Sequence, residues 1–225
     1  MFKTGELIRG LGVNAKNFKK LSTLSLTDVQ FCDGVKKITM VDQKSRNSLS
    51  LGMMQNLLDN INRDMDNKDL RVIIITAQGP IFSAGHNLKE LTPEAGKGQH
   101  EKVFQLATQL MCSIIECPVP VVAQVDGLAA AAGCQLVAQC DIAICTENSK
   151  FSTPGSNFGI FCSTPGIPLA RKGLKATILH MLLTGLPITA SEAKASGLVS
   201  KVCAPENLES EVKTTTSAII SRADL

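Results

Sequence analysis

No run in the 225-residue chain approaches the roughly 20 consecutive apolar residues of a bilayer-spanning helix, which excludes such a span. No CxxC pair occurs, and the three histidines (His86, His100, His180) lie far apart, which excludes a zinc site by ligand spacing. Tryptophan and tyrosine are absent, so the hydrophobic share of 44% is largely aliphatic. The body of the chain has no charge surplus either. Residues 31–225 carry acidic and basic side chains in equal number, which argues against a nucleic-acid footprint. The net charge of +3 resides in residues 1–30, where Lys3, Arg9, Lys16, Lys19 and Lys20 outnumber Glu6 and Asp28. That segment has no apolar h-region, which excludes a secretory signal. Its bias towards Lys, Arg, Ser, Thr and Leu is that of a mitochondrial presequence; the other reading is a disordered leader with no address function.

What is present suits one globular domain from residue 31 onward, with ample apolar surface for a core. Eight cysteines (Cys32, Cys112, Cys117, Cys134, Cys140, Cys145, Cys162, Cys203) are scattered through apolar runs and are expected to be buried free thiols of a reducing compartment. Residues 35–41 (VKKITMV) read as a strand and 42–47 (DQKSRN) as a polar turn. From Ser50, the positions Leu51, Met54, Leu58 and Ile61 recur at helical spacing to about Asp66. Residues 71–76 (RVIIIT) and 119–125 are continuous apolar runs, as expected of strands buried on both faces. Helices fit 101–115, 190–196 and 206–220, residues 141–145 are strand-like, and small residues 129–133 lead into a helical stretch to Ala138. Short strands alternating with helices point to an α/β fold of ββα or βαβ units.

Two loops stand out, each following a buried strand and opening into a helix: 81–90 (IFSAGHNLKE) and 125–141 (VDGLAAAAGCQLVAQCD). Small residues there let a ligand approach the backbone, and the free N–H groups of a helix start favour negative charge. Two such loops facing one carbonyl oxygen would make an oxyanion hole. Read from the residues alone, the alternative is that they serve only tight helix–strand packing.

With FCSTPG at 161–166 and TG-x-PI at 184–188, these loops resemble the crotonase (enoyl-CoA hydratase/isomerase) superfamily over about residues 34–220. The resemblance implies a spiral of ββα units that binds a fatty acyl-CoA, stabilises a thioester enolate and assembles as a homotrimer in the mitochondrial matrix. Residues 31–225 would form that domain, short at its C-terminus, with the trimerisation helices largely missing, an apolar face exposed and the pocket open on one side. It further implies backbone N–H donors at His86 and Ala132. Ala84, Asn87 and Leu88 would contact coenzyme A, with Ser45 and Arg46 bordering the nucleotide. No separate cofactor or metal is implied, since coenzyme A is part of the thioester.

Hydration of an enoyl thioester also needs two carboxylates, one to take a proton from water and one to deliver a proton to carbon. The family's positions for them correspond to Gln135 and Gly155, and the aspartate of dienoyl isomerases corresponds to Ser163. An amide orients water but does not accept its proton, and glycine offers no side chain. The expectation is therefore an acyl-CoA-binding protein with weak or absent hydratase activity. Two alternatives stand beside it. One is an enzyme relying on enolate stabilisation, such as a malonyl-type acyl-CoA decarboxylase using the His86 imidazole, although Cys162 stands where that reading expects a tyrosine. The other is a non-enzymatic interaction protein with a vestigial pocket. Cys134 and Cys162 are read as packing thiols rather than nucleophiles.

Overall fold

The computed structural model describes residues 25–222, so the leader reading for the residues before Ser25 lies outside the described range. The fold opens with an antiparallel pair, β1 (Thr27–Cys32) and β2 (Val35–Met40), joined by Asp33 and Gly34 at positive φ. Asp-Gly is the residue pair that such a two-residue turn favours. The ordered domain thus begins before residue 31, inside the stretch assigned to a leader. β1 carries no apolar run because it is a sheet edge with four exposed residues. Thr27 anchors it, its buried hydroxyl accepting from Asn60 Nδ2 at 2.9 Å.

A short 3₁₀ turn, Gln43–Ser45, leads to α1 (Leu51–Asn62). Ser50 caps α1 by accepting the Met53 N–H at 3.2 Å, and Met53, Met54, Leu57 and Ile61 form its buried face. Three ββα turns follow. They are β3 (Val72–Ala77), β4 (Ile81–Ser83) and α2 (Lys97–Ile115); β5 (Val121–Val125), β6 (Leu128–Ala130) and α3 (Ala132–Gln139); β7 (Ile142–Thr146), β8 (Lys150–Ser152) and α4 (Ser163–Lys172). The chain continues through α5 (Lys175–Thr184), β9 (Ile188–Thr189), α6 (Ala190–Ser196), β10 (Lys201–Cys203) and α7 (Leu208–Ile220).

Each turn adds its long strand to a six-stranded sheet, β1-β2-β3-β5-β7-β10, and its short strand to a four-stranded sheet, β4-β6-β8-β9. All neighbours are parallel except β1 with β2 and β8 with β9. The central strands β3 and β5 of the larger sheet are buried on both faces. Ile73, Ile75, Val121 and Ala123 enter the main core, while Val72, Ile74 and Val122 pack under Leu208 and Val212 of α7. This is why β3 and β5 read as unbroken apolar runs.

The architecture is the expected α/β spiral of ββα units, with two local corrections. Residues 78–85, read as loop, contain β4, and residues 128–130, read as a lead into helix, are β6. The cysteines are all free, but only Cys134, Cys140 and Cys145 are buried, and Cys32 is exposed on the edge strand. Among the described residues no helix is long and apolar enough to cross a membrane, and no group of three or more His, Cys, Asp or Glu could hold a metal ion.

Candidate functional site

The first loop leaves β4 along the segment that precedes α1, and the two are zipped by the backbone. Ala84 N–H donates to the Arg46 carbonyl at 3.0 Å, and Leu49 N–H to the Gly85 carbonyl at 2.7 Å. Leu49 and His86 form an isolated parallel bridge. Ser83 Oγ donates to the Asn47 carbonyl at 2.8 Å and accepts the Gly85 N–H at 3.2 Å. Ser45, Arg46, Ala84, His86, Asn87 and Leu88, widely separated in sequence, are thereby brought onto one ledge. Arg46 is itself left-handed, at φ 59°, and Leu88 projects outward, 73% exposed. Asn87 caps its own 3₁₀ turn, Oδ1 accepting the Lys89 N–H at 3.2 Å, so that oxygen is already committed.

The second loop is the sharp entry into α3. Ala131, at φ 50° and ψ −120°, is a left-handed non-glycine residue held by its N–H donating to the Ser152 carbonyl at 2.9 Å. Such backbone strain persists only where the surroundings enforce it. The first intrahelical bond runs from Gln135 N–H to the Ala131 carbonyl at 3.0 Å. Helix geometry therefore leaves the Ala132, Gly133 and Cys134 N–H groups without intrahelical acceptors, at the positive end of the α3 dipole.

The two loops meet at glycines. A Cβ on Gly85 (φ 86°) would stand 2.9 Å from the Ala130 carbonyl oxygen and 3.1 Å from the Ala132 nitrogen. One on Gly133 would stand 2.6 Å from the Ser83 carbonyl oxygen. The residue preceding His86 thus lies against the Ala130–Ala132 turn, with a positive φ and an approach to the Ala130 carbonyl that only glycine allows. A negatively charged oxygen is the species that the free N–H groups at the start of α3 suit.

The third element follows β8, the strand beside β6 in the smaller sheet. Gly155 sits in a 3₁₀ turn, Pro154–Phe158, and a Cβ there would meet the Ile160 carbonyl oxygen at 2.5 Å and Cys162 Sγ at 2.7 Å. The space a side chain at 155 would need is occupied. Gln135 is half-buried on the first turn of α3, and Ser163 is exposed at the start of α4. Cys134 is fully buried, and burial pushes its thiol up to about 12, which suits a packing thiol. Outward from Gly155, the apolar side chains of Phe158, Ile160, Phe161, Ile167 and Leu183 are exposed, as expected of a face open on this side.

The His86 ring is largely buried, edge-on to Phe104 of α2 with centroids 5.5 Å apart and planes at 75°. Burial lowers its pKa below the ordinary histidine value, partly opposed by the Leu49 carbonyl, and buried Nδ1 has no hydrogen-bond partner among the described residues. Beyond Phe104, a cavity of about 360 Å³ runs along α2 past Lys97, His100, Glu101 and Thr108.

Three residues shape this site without standing out in the sequence. Asn47, buried at φ 49°, donates through Nδ2 to the Gln78 and Ile81 carbonyls at 2.9 and 2.8 Å, tying the turn to both ends of the loop before β4. Phe104 packs the His86 ring. Glu90 accepts the Leu51 N–H at 3.0 and 3.3 Å, clasping the end of the first loop to the start of α1. A Glu three residues after Asn87 fits a capping-box spacing, but the carboxylate serves a different helix, and no local pattern reveals that.

The family model for enoyl-CoA hydratase/isomerase matches residues 30–224. The human protein "Enoyl-CoA hydratase domain-containing protein 3, mitochondrial" is 52% identical over 185 residues, spanning 82% of this chain and 61% of its own length. Its Xenopus laevis counterpart is 48% identical over 208 residues, spanning 92% of this chain and 71% of its own. The chain therefore covers only about three fifths of the human relative's length. Among solved structures, that human protein superposes with a TM-score of 0.85 at 49% identity, covering 87% of this chain and 78% of that one. An enoyl-CoA hydratase of Mycobacterium smegmatis gives 0.84 at 38% identity, covering 87% and 77%.

Proposed function

The chain belongs to the enoyl-CoA hydratase/isomerase family, and from that premise we propose that it binds acyl-CoA thioesters and polarises their carbonyl through the His86 and Ala132 N–H groups. The observation that carries this reading is the contact of the Gly85 backbone with the Ala130–Ala132 turn. On this reading, that contact holds the two backbone donors, from different ββα turns, side by side in a fixed frame. In such a frame the donors need no reorganisation as charge grows on the oxygen, and each lowers the barrier by roughly 3 kcal/mol. Ala84, Asn87 and Leu88, with Ser45 and Arg46 behind them, form the ledge for coenzyme A. The relatives named as mitochondrial support the same location for this chain, and an acyl-CoA ligand would give it a part in fatty-acid metabolism.

Hydration is weak or absent on this reading. Gln135 cannot take a proton from water, and the position of the second carboxylate is a glycine whose side-chain space is filled by Cys162 and the Ile160 carbonyl. The buried imidazole favours a second reading. His86, kept neutral beside the donors with Nδ1 unpartnered, suits decarboxylation of a malonyl-type thioester, where loss of CO₂ yields the enolate and no glutamate pair is needed.

The deciding experiment is calorimetric titration of the 225-residue chain with a medium-chain acyl-CoA, using free coenzyme A and the free fatty acid as controls. Saturable binding that needs both moieties supports the proposal, and absence of binding by folded protein overturns it. Release of CO₂ from a malonyl-type thioester in the same preparation would establish the second reading.

A further inference from the structure

The loop that carries the His86 N–H is anchored at both ends against the start of α1. At one end, the Gly85 carbonyl accepts the Leu49 N–H at 2.7 Å. At the other, both Glu90 oxygens take the Leu51 N–H, at 3.0 and 3.3 Å. Leu51 is the first residue of α1, and its N–H is one of those a helix leaves unpaired. The Ser50 cap is spent on Met53, so Glu90 supplies the partner for Leu51 and places a carboxylate at the positive end of the helix dipole. Between the two anchors lie only His86, Asn87, Leu88 and Lys89, braced internally by the Asn87 cap on Lys89.

We infer that Glu90 is a positioning residue for the ligand loop, its carboxylate holding His86–Lys89 in the conformation that presents the His86 N–H and the coenzyme A ledge. The inference rests on the acyl-CoA reading above, though the clasp itself is a property of the ligand-free protein. Partial burial raises the Glu90 pKa while the Leu51 N–H favours its charged form, as for a carboxylate committed to this one donor. A cap that served only α1 would contribute to stability alone. A clasp also governs how often the loop opens.

The test compares Glu90→Ala and Glu90→Gln with Thr189→Ala. The last removes the capping box of α6 on the opposite edge of the smaller sheet from β4, and so reports general loss of stability. Amide exchange is read in the ligand-free protein, and octanoyl-CoA affinity by calorimetry. In Glu90→Ala, exchange at His86–Lys89 should accelerate about tenfold and octanoyl-CoA affinity should fall about tenfold, the equivalent of one lost cap. Glu90→Gln, which keeps an acceptor but not the charge, should lie between this variant and the wild type, and it carries the test alone if Glu90→Ala does not fold. Thr189→Ala should lower Tm and leave both readouts unchanged. Wild-type exchange and affinity in a folded Glu90 variant would overturn the inference, as would an equal loss of affinity in Thr189→Ala. If the wild-type chain binds no octanoyl-CoA, the acyl-CoA reading falls, and the exchange rates still decide whether Glu90 holds the loop.

Discussion

Around Gly85 and Ala131 the chain is fixed between buried strands, whereas around Gly155 and Cys162 it is fixed beside an open surface. On the first side, β4, β6 and the start of α3 are buried, and Ser83 and Ala130 approach glycines closer than any Cβ permits. On the second, Phe158, Ile160 and Phe161 face outward. The contrast separates two parts of one chemistry. Placement of backbone donors is a property of the fold and survives changes of side chain. On the proposed reading, proton transfer depends on what stands at two positions, where this chain has Gln135 and Gly155.

Gly133→Ala tests the closed side and should have the largest effect. With its new methyl 2.6 Å from the Ser83 carbonyl oxygen, the variant should lose about 3 kcal/mol in a denaturant titration, at the upper end of overpacking costs, and lose acyl-CoA binding. Gly155→Ala makes the same change on the open side, where the 159–162 loop can move outward, and should cost only about 1 kcal/mol by the same measurement. Equal costs would erase the distinction between the sides. Gly155→Glu with Gln135→Glu tests the chemistry directly. Enoyl-CoA hydration, followed by loss of the thioester's ultraviolet absorbance, should rise above wild type only when Cys162→Ala is added to make room. Hydration without that third change would show that Cys162 is no obstacle.

A smaller effect is expected from pH. Burial holds the His86 pKa below its unfolded value. Below the ordinary histidine pKa, about 6.5, the unfolded chain takes up a proton that the folded chain resists, so stability falls as pH drops through that range. His86→Gln should remove that part of the fall in Tm between neutral and mildly acidic buffer, and an unchanged profile would place the effect elsewhere. Smallest of all, Leu183→Gln on the exposed face should change stability by no more than about 0.5 kcal/mol in the same titration.

The legibility of the sequence follows the same division. RVIIIT announced β3 because burial on both faces leaves no polar position, and residues 190–196 read as a helix whose ends match α6. The two loops were visible as small residues after buried strands. β4 and β6 were not, because strands of three residues are too short for any period to register. β1 was hidden because an edge strand keeps polar residues on its surface. Glu90 and Asn47 act on partners thirty or more positions away, so their roles exist only after folding. The fit of Cys162 against Gly155 belongs to the same class. A glycine at position 155 was readable, but the lack of space there for any larger side chain was not.

The antiparallel start of the larger sheet sets a limit on trimming the chain. β1 is the outermost strand, and it shields the flank of β2 with Asp28 and Gln30 exposed to water. Charged and polar groups on a border strand discourage a neighbouring molecule from pairing with it. Cutting past Thr27 would strip that cover, release the Thr27 anchor on Asn60, and leave β2 to recruit strands from other molecules. A truncation of this protein has to stop before Thr27 to leave a monodisperse product.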